Sequence, residues 1–206
     1  MDAHENNMAR PGGMLRRFAT FLRDRKGAAA VEFALIAPLL LTLYFVTMEV
    51  SQGIDTNKKV SRLGSMVADL VAQQPSITNT EDLDAIMRIG EAILQPYGRT
   101  RPAIEIAGIQ LDKDGKATVA WSRRMVAGTV VAGPAKGTPA TVPAEVKIPE
   151  TFLIRVSAQL GYLPVIAWNA TERAGIGLLG GFDNIPMDEI WHVRPRMTNT
   201  VTCVDC

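Results

Sequence analysis

Two cysteines and two histidines are the residues of this sequence best suited to metal or redox chemistry. Cys203 and Cys206 stand as C-V-D-C in its last four residues. A tetrahedral zinc site needs four ligands, and with histidines only at His4 and His192 it would have to borrow some. A thioredoxin-like pair opens a helix after a strand, which this pair does not do. In an oxidising compartment we expect a disulfide, within the chain or to another subunit, with a metal or redox role as the remaining alternative. We expect His192 to be structural or at the surface.

A glycine-rich run, Gly175-Ile-Gly177-Leu-Leu-Gly180, matches the dinucleotide-binding pattern literally. That pattern requires a strand before it, a helix after it and an acidic residue about 20 positions further on. Here N-A-T-E-R precedes the run and F-D-N-I-P follows it. We therefore expect a flexible or interfacial loop and no nucleotide cofactor.

The carboxylates Glu81, Asp82 and Asp84 could do acid–base chemistry, but they also suit a helix N-terminus, whose dipole favours negative charge. The sequence shows no nucleophile elbow, phosphate loop or paired metal-ligand motif. A net charge of +1 over 206 residues gives no general attraction to nucleic acid. We expect no enzyme, no cofactor, no metal site and no nucleic-acid partner.

The dominant element is an apolar run from Ala28 to Met48, 21 residues that suffice to cross a hydrocarbon core of roughly 30 Å. Its basic flank carries Arg10, Arg16, Arg17, Arg23, Arg25 and Lys26, the pattern of a segment that stays in the cytoplasm. A buried core helix is the first alternative, but the run is apolar all round. A cleaved secretory signal is the second, but T-M-E-V-S-Q follows where small residues are needed.

One carboxylate, Glu32, lies near the start of this run. A charge at the centre of a membrane helix costs about 2.5–3.5 kcal/mol, and less near its end. Glu32 is thus either a charge tolerated at the membrane interface or a group that a partner neutralises.

The stretch R-D-R-K-G-A-A-A-V-E-F-A-L-I-A-P-L-L, residues 23–40, resembles the signals of type IV pilins and, more closely, those of TadE-like proteins, minor pseudopilins of the tight-adherence (Tad/Flp) pilus. The resemblance includes Glu49, which ends the apolar run. It is strong over about 30 residues, and the remainder fits only in general plan.

The resemblance implies cleavage by a prepilin peptidase between Gly27 and Ala28. Glu32 would then be the fifth residue of the mature chain, and Glu32 with Phe33 would lie where subunits pair. It also implies the bacterial inner membrane, with the N-terminus cytoplasmic and the C-terminal domain periplasmic. The implied partners are the peptidase, sibling pseudopilins, the major pilin and the assembly platform.

Helical periodicity extends beyond the apolar run. An amphipathic stripe over residues 60–71 predicts that the helix continues to Gln74, with Gly53 as a point where it kinks or breaks. Thr78 and Glu81 have the spacing of a capping box for a second helix, which Pro96 and Gly98 end. Its apolar stripe comprises Leu83, Ile86, Met87, Gly90, Ile93 and Leu94.

Alternating apolar residues predict strands in the second half. Ile104 and Ile106 precede Gly108, after which the pattern shifts, so we expect a β-bulge there. A turn at 112–115 then leads into a return strand through Ala117, Val119 and Trp121. Residues 128–143 are rich in Gly, Pro and Thr and predict an exposed loop. The clearest strand covers residues 152–160, and residues 190–193 give a last one.

The predicted fold is α+β, pilin-like: a long membrane-spanning helix before a small antiparallel sheet with helices on one side. The expected segments are a basic leader (1–27), a transmembrane helix (28–50), its extension (51–74) and a periplasmic α+β domain (75–206). A minor pseudopilin is the favoured function. The alternatives are an unprocessed, membrane-anchored periplasmic binding or sensor protein and a nucleotide-dependent periplasmic enzyme.

Overall fold

The computed structural model describes residues 27–165, 184–204 and 206. The chain divides into two compact units, Met1–Met48 and Glu49–Cys206, and we call the second unit the head. The predicted run Gly175–Gly180 lies outside the described residues, as does the basic leader up to Lys26.

The first element, α1, is a single helix over Ala28–Ala72. It passes through Gly53 without a break, and it ends two residues before the predicted Gln74. Of the described part of the chain, α1 is the one helix long and apolar enough to cross a membrane, and no residue of its most apolar window is buried. Further along, a stripe at helical spacing is buried in the head: Val60, Leu63, Val67 and Val71.

The second helix, α2, covers Thr80–Ala92, and its N-cap is Asn79. Asn79 has an extended backbone, and its side chain accepts a hydrogen bond of 2.9 Å from the amide of Glu81. The cap predicted at Thr78 is therefore wrong by one residue. Threonine and asparagine side chains can both cap a helix, and the backbone conformation decides which of the two residues does so. The predicted apolar stripe is confirmed within α2, where Leu83, Ile86, Met87 and Gly90 are buried.

Five strands form one antiparallel sheet: β2 (Ala103–Leu111), β3 (Ala117–Val126), β4 (Thr129–Val131), β5 (Phe152–Tyr162) and β6 (Ile185–Val193). Across the sheet they lie in the order β4-β3-β2-β5-β6. The α+β class and the antiparallel sheet are thus as predicted. The clearest predicted strand is β5, which extends two residues beyond the expected end at Leu160.

The predicted β-bulge is present, since the pairing of β2 with β3 shifts between Gly108 and Ile109. The extra residue is Ala120 on β3, because Gly108 pairs with Trp121 and Ile109 pairs with Val119. Simple alternation would put Ala117 and Trp121 on one face of the sheet. The bulge instead sends Trp121 into the core shared with the helices and leaves Ala117 in a second cluster.

Two predicted boundaries are corrected by the structure. The expected loop 128–143 contains β4, which follows a turn where Ala127 and Gly128 both have positive φ, 51° and 82°. Such a two-residue turn reverses the chain into a hairpin. The expected strand from Ile190 begins earlier, at Ile185, and it includes Pro186. An edge position tolerates that proline because the outer side of the strand needs no ladder hydrogen bond.

A second, two-stranded sheet was not predicted. It pairs β1 (Ser76–Ile77) with β7 (Thr202–Cys203) in parallel. The indole of Trp121 donates to the carbonyl oxygen of the adjacent Val201 at 2.7 Å, and Val201 is buried. Strands of two residues carry no periodicity, so only their tertiary pairing defines them.

The head has its core on one face of the sheet, where both helices pack. This cluster joins the α1 and α2 stripes to inward residues of the strands, among them Ile104, Ile106, Ile154 and Val156. The opposite face has a smaller cluster around Ile109 and Leu153, covered by Ala140, Val142 and Val146. A short 3-10 helix, Ala144–Val146, belongs to that covering segment.

Candidate functional site

The predicted processing and pairing residues lie at the start of α1. Gly27 precedes the helix, Ala28 is its first residue, and both are exposed. A Cβ added to Gly27 would meet no atom within 4 Å. The fold of the described residues therefore does not require a glycine at this position, so any requirement for one must come from outside the described residues.

Glu32 and Phe33 lie on the first turns of α1, and both are exposed, Phe33 by 73%. The large apolar residues that follow them are exposed as well, including Leu35, Ile36, Leu39, Leu40, Leu43, Tyr44, Phe45 and Val46. Glu32 is the one charged residue between Ala28 and Met48. A continuous apolar surface of this kind marks contact with a membrane or with another protein.

A second polar site begins where the apolar run ends, at Glu49. The hydroxyl of Tyr162 donates to Glu49 Oε1 at 2.6 Å, and the amide of Val165 donates to Oε2 at 2.9 Å. The helix and the end of β5 are thus joined by hydrogen bonds to a carboxylate, which are stronger than those between neutral groups.

Tyr162 is also buried and stacked against a second tyrosine. It is 1% exposed, and its ring stacks on Tyr97 with the ring centroids 5.3 Å apart. Burial raises the pKa of the Tyr162 phenol to about 12, the hydrogen bond and charge of Glu49 act in the same direction, and Arg99 opposes them. The phenol therefore stays protonated and keeps donating to Glu49 over the physiological pH range.

Arg99 extends this network to the loop after α2. Its Nη1 donates to the carbonyl oxygen of Leu163 at 2.8 Å, and Nη2 donates to Gln52 Oε1 at 3.4 Å. The guanidinium also lies 5.5 Å from the ring centroid of Tyr97, within range of a cation–π interaction. One arginine thus connects the first turns of α1 within the head to the chain that follows β5.

The two cysteines are brought together as a disulfide between Cys203 and Cys206, with their Cα atoms 5.7 Å apart. This separation falls in the usual range for the bond. His192 lies on β6, and both burial and the charge of Arg155 lower its pKa. Among the described residues, no group of three or more His, Cys, Asp and Glu side chains is placed to hold a metal ion.

An exposed apolar helix ahead of an α+β unit is the plan of a protein with one N-terminal membrane anchor. Residues 27–68 match the family model described as TadE-like protein, which confirms the resemblance over this segment. The match covers Gly27 and α1 as far as Ala68, and it includes no strand of the head. No curated protein and no solved structure matches the chain.

The residues that sequence reasoning missed are Tyr97, Arg99 and Tyr162. They join Glu49 and Gln52 across 47 to 113 positions of the chain, so no local spacing connects them. One available signal was Glu49 itself, an acidic residue directly after the apolar run. A carboxylate that close to a membrane segment is stabilised by hydrogen-bond donors or a positive charge, so donors to Glu49 could have been expected.

Proposed function

We propose that this chain is a TadE-like minor pseudopilin that takes part in assembling an adhesive Tad/Flp pilus and that it is not an enzyme. The observation that carries this proposal is the family match over residues 27–68, which contains Glu32 on an otherwise apolar, exposed helix. The role would be structural: the helix supplies lateral packing within a membrane, and the head supplies specificity towards other subunits.

In this proposal α1 crosses the bacterial inner membrane once, with the N-terminus in the cytoplasm and the head in the periplasm. The basic residues before the apolar run support that orientation. The disulfide between Cys203 and Cys206 agrees with an oxidising compartment for the head. The partners would be a prepilin peptidase, sibling pseudopilins, the major pilin and the assembly platform.

Processing is the first step that the proposal specifies: a prepilin peptidase cuts between Gly27 and Ala28 and leaves α1 in the mature chain. A larger side chain at Gly27 would not clash within the described part of the chain, since a Cβ there meets no atom within 4 Å. Because the structure tolerates bulk there, a block caused by bulk would reflect the peptidase and not misfolding.

The N-terminal mass of the protein from pilus-competent cells tests this step. We expect the wild type to begin at Ala28 and Gly27→Val to retain the leader. Gly98→Val is the matched control, because a Cβ at Gly98 also meets no described atom within 4 Å but Gly98 follows the cut by about 70 positions of the chain, so this variant should be processed normally. Wild-type protein that retains residues 1–27 would contradict the proposal and favour an unprocessed, membrane-anchored binding or sensor protein.

Glu32 would be the pairing group. An unpaired carboxylate in lipid is costly, and the new N-terminal ammonium of a neighbouring subunit could relieve that cost. We expect Glu32→Gln to insert and to be cleaved normally, yet to lose co-purification with sibling pseudopilins and to reduce the number of assembled pili. Glu145→Gln, at an exposed position of the head, is the control for loss of one charge. Normal association of the Glu32 variant would leave Glu32 as a charge tolerated at the interface.

A further inference from the structure

A groove lies in the head beside the first turns of α1 after Glu49. It has a volume of about 640 Å³ and is bounded by α1 on one side and the loop after α2 on the other. Its lining is polar and aromatic, with the residues Gln52, Asp55, Thr56, Lys59, Pro96, Tyr97, Gly98 and Arg99. All of them belong to the head, so its own fold forms the groove.

Two cations and one carboxylate give the groove an excess of positive charge. Lys59 is already engaged, because its Nζ lies 2.9 Å from Asp55 Oδ2 and 3.1 Å from the carbonyl oxygen of Gln95. Arg99 is exposed and pairs with no carboxylate among the described residues. Its guanidinium has five N–H donors, of which the contacts with Leu163, Gln52 and the hydroxyl of Tyr162 use three. Arg99 therefore retains donors for an anion.

The loop that carries Arg99 adds backbone donors. The amides of Gly98 and Arg99 donate to no other described backbone group. Gly98 has open space where a Cβ would be, so a ligand can approach the backbone there. Several N–H donors around one arginine are the arrangement that binds phosphate oxygens.

The position of the groove along the chain selects the source of the phosphate. Gln52 follows Met48, the last residue of the apolar run, by four positions on α1, and four helical residues span about 6 Å at 1.5 Å per residue. Phospholipid headgroups extend roughly 5–7 Å beyond each side of the hydrocarbon core. The groove thus lies within reach of the headgroup layer if the apolar run crosses the membrane.

We propose that this groove binds the phosphate of an anionic phospholipid headgroup, with Arg99 as the principal contact and the Gly98–Arg99 amides as secondary donors. The aromatic face of Tyr97 lies under the guanidinium and holds it in place. Bound lipid would fix the rotation of the head against the membrane surface. The inference rests on the membrane-anchor part of the proposed function and is independent of any role in a pilus.

The test uses the full chain in nanodiscs of phosphatidylcholine mixed with phosphatidylglycerol, followed by native mass spectrometry of the lipids that stay bound after ejection. We expect phosphatidylglycerol to be enriched among them. Arg99→Gln should reduce that enrichment roughly tenfold, the effect of losing about 1.4 kcal/mol of charged hydrogen bonding. Arg99→Lys should restore part of it, because a cation remains. Arg101→Gln is the matched control, since Arg101 is exposed and pairs with Glu91 outside the groove.

Each outcome decides a different point. A chain that fails to enter nanodiscs would overturn the membrane anchor itself. A chain that enters but binds both lipids equally, or keeps its preference in Arg99→Gln, would overturn the lipid site and leave the anchor intact. Equal losses in Arg99→Gln and Arg101→Gln would show a general charge effect and reject the site. Inorganic phosphate at millimolar concentration should not displace the lipid, and displacement would indicate a free-phosphate site.

Discussion

The hydroxyl of Tyr162 donates to the carboxylate of Glu49 over 2.6 Å, although 113 positions of the chain separate the two residues. This contact joins the final residue of β5 to the first residue of the head on α1. Because the acceptor is a carboxylate and the phenol is buried, we expect it to be among the stronger single polar contacts of the head.

Tyr162→Phe should lower the free energy of unfolding of the head by about 1.5–3 kcal/mol, since it removes a hydrogen bond to a charged group and keeps the ring. Urea unfolding of the detergent-solubilised chain, followed by tryptophan fluorescence, measures this. Tyr44→Phe is the matched control, because Tyr44 lies on the exposed apolar part of α1. Equal midpoints for the wild type and the Tyr162 variant would contradict the role of the contact.

The same phenol gives a pH dependence with a definite sign. Its pKa is raised to about 12 in the folded head, from an ordinary value of 10.0. The native state therefore holds the proton more tightly, and the contribution to stability is complete below about pH 10 and is lost as the pH rises through about 12. Unfolding curves between pH 9 and 12 should show this loss in the wild type and not in Tyr162→Phe. Parallel curves for the two proteins would be the contrary result.

Two glycines of α1 should respond in opposite ways to alanine. A Cβ at Gly64 would lie 2.5 Å from Trp191 Cδ1, so Gly64→Ala should destabilise the head by about 1–3 kcal/mol through overpacking. At Gly53 the nearest atom is 3.8 Å away on the Tyr162 ring, so Gly53→Ala should stabilise it by about 0.5–1 kcal/mol through helix propensity. Thermal unfolding of the two variants side by side measures both, and changes of the same sign would refute the packing argument.

The ion pair of Asp84 with Arg123 should contribute more than the pair of Asp69 with Arg196, whose side chains are more exposed, 40% and 64% respectively. Arg123 donates to both carboxylate oxygens of Asp84 at 2.9 Å, and the side chain of Arg123 is 25% exposed and that of Asp84 16%. The hydrogen bond to Asp84 raises the pKa of Arg123. Double-mutant cycles should give about 1–2 kcal/mol for this pair and less than about 1 kcal/mol for the more exposed one. The reverse order would show that geometry and burial do not decide these energies.

The thiols of Cys203 and Cys206 should resist alkylation until a reductant is added, because the structure joins them as a disulfide. Mass spectrometry of freshly isolated, acid-quenched protein counts the labelled thiols. Free thiols before reduction would exclude the bond. A dimer that disappears on reduction would instead indicate a bridge between subunits.

Local sequence was enough to predict the features that lie within one element. The long helix, the placement of Gly27 before it and Glu32 on it, the α2 stripe and strand β5 all follow from periodicity and charge over fewer than 50 consecutive residues. The confirmed TadE-like segment is of the same kind, since it lies almost entirely within α1. Such features depend on interactions between residues close together in the sequence, so the spacing of residue types is enough to predict them.

Only the tertiary structure decided which distant groups meet. The bulge at Ala120 moved Trp121 to the opposite face from Ala117, where its indole reaches the carbonyl oxygen of Val201. The sequence predicted Thr78 as the cap of α2, whereas in the structure the extended backbone of Asn79 places the Asn79 side chain on the Glu81 amide. The hydrogen bond from Tyr162 to Glu49 forms because β5 packs beside α1, which no local sequence pattern indicates. A side chain's type limits the partners it can have, but the packing of whole elements brings one of those partners within hydrogen-bond distance.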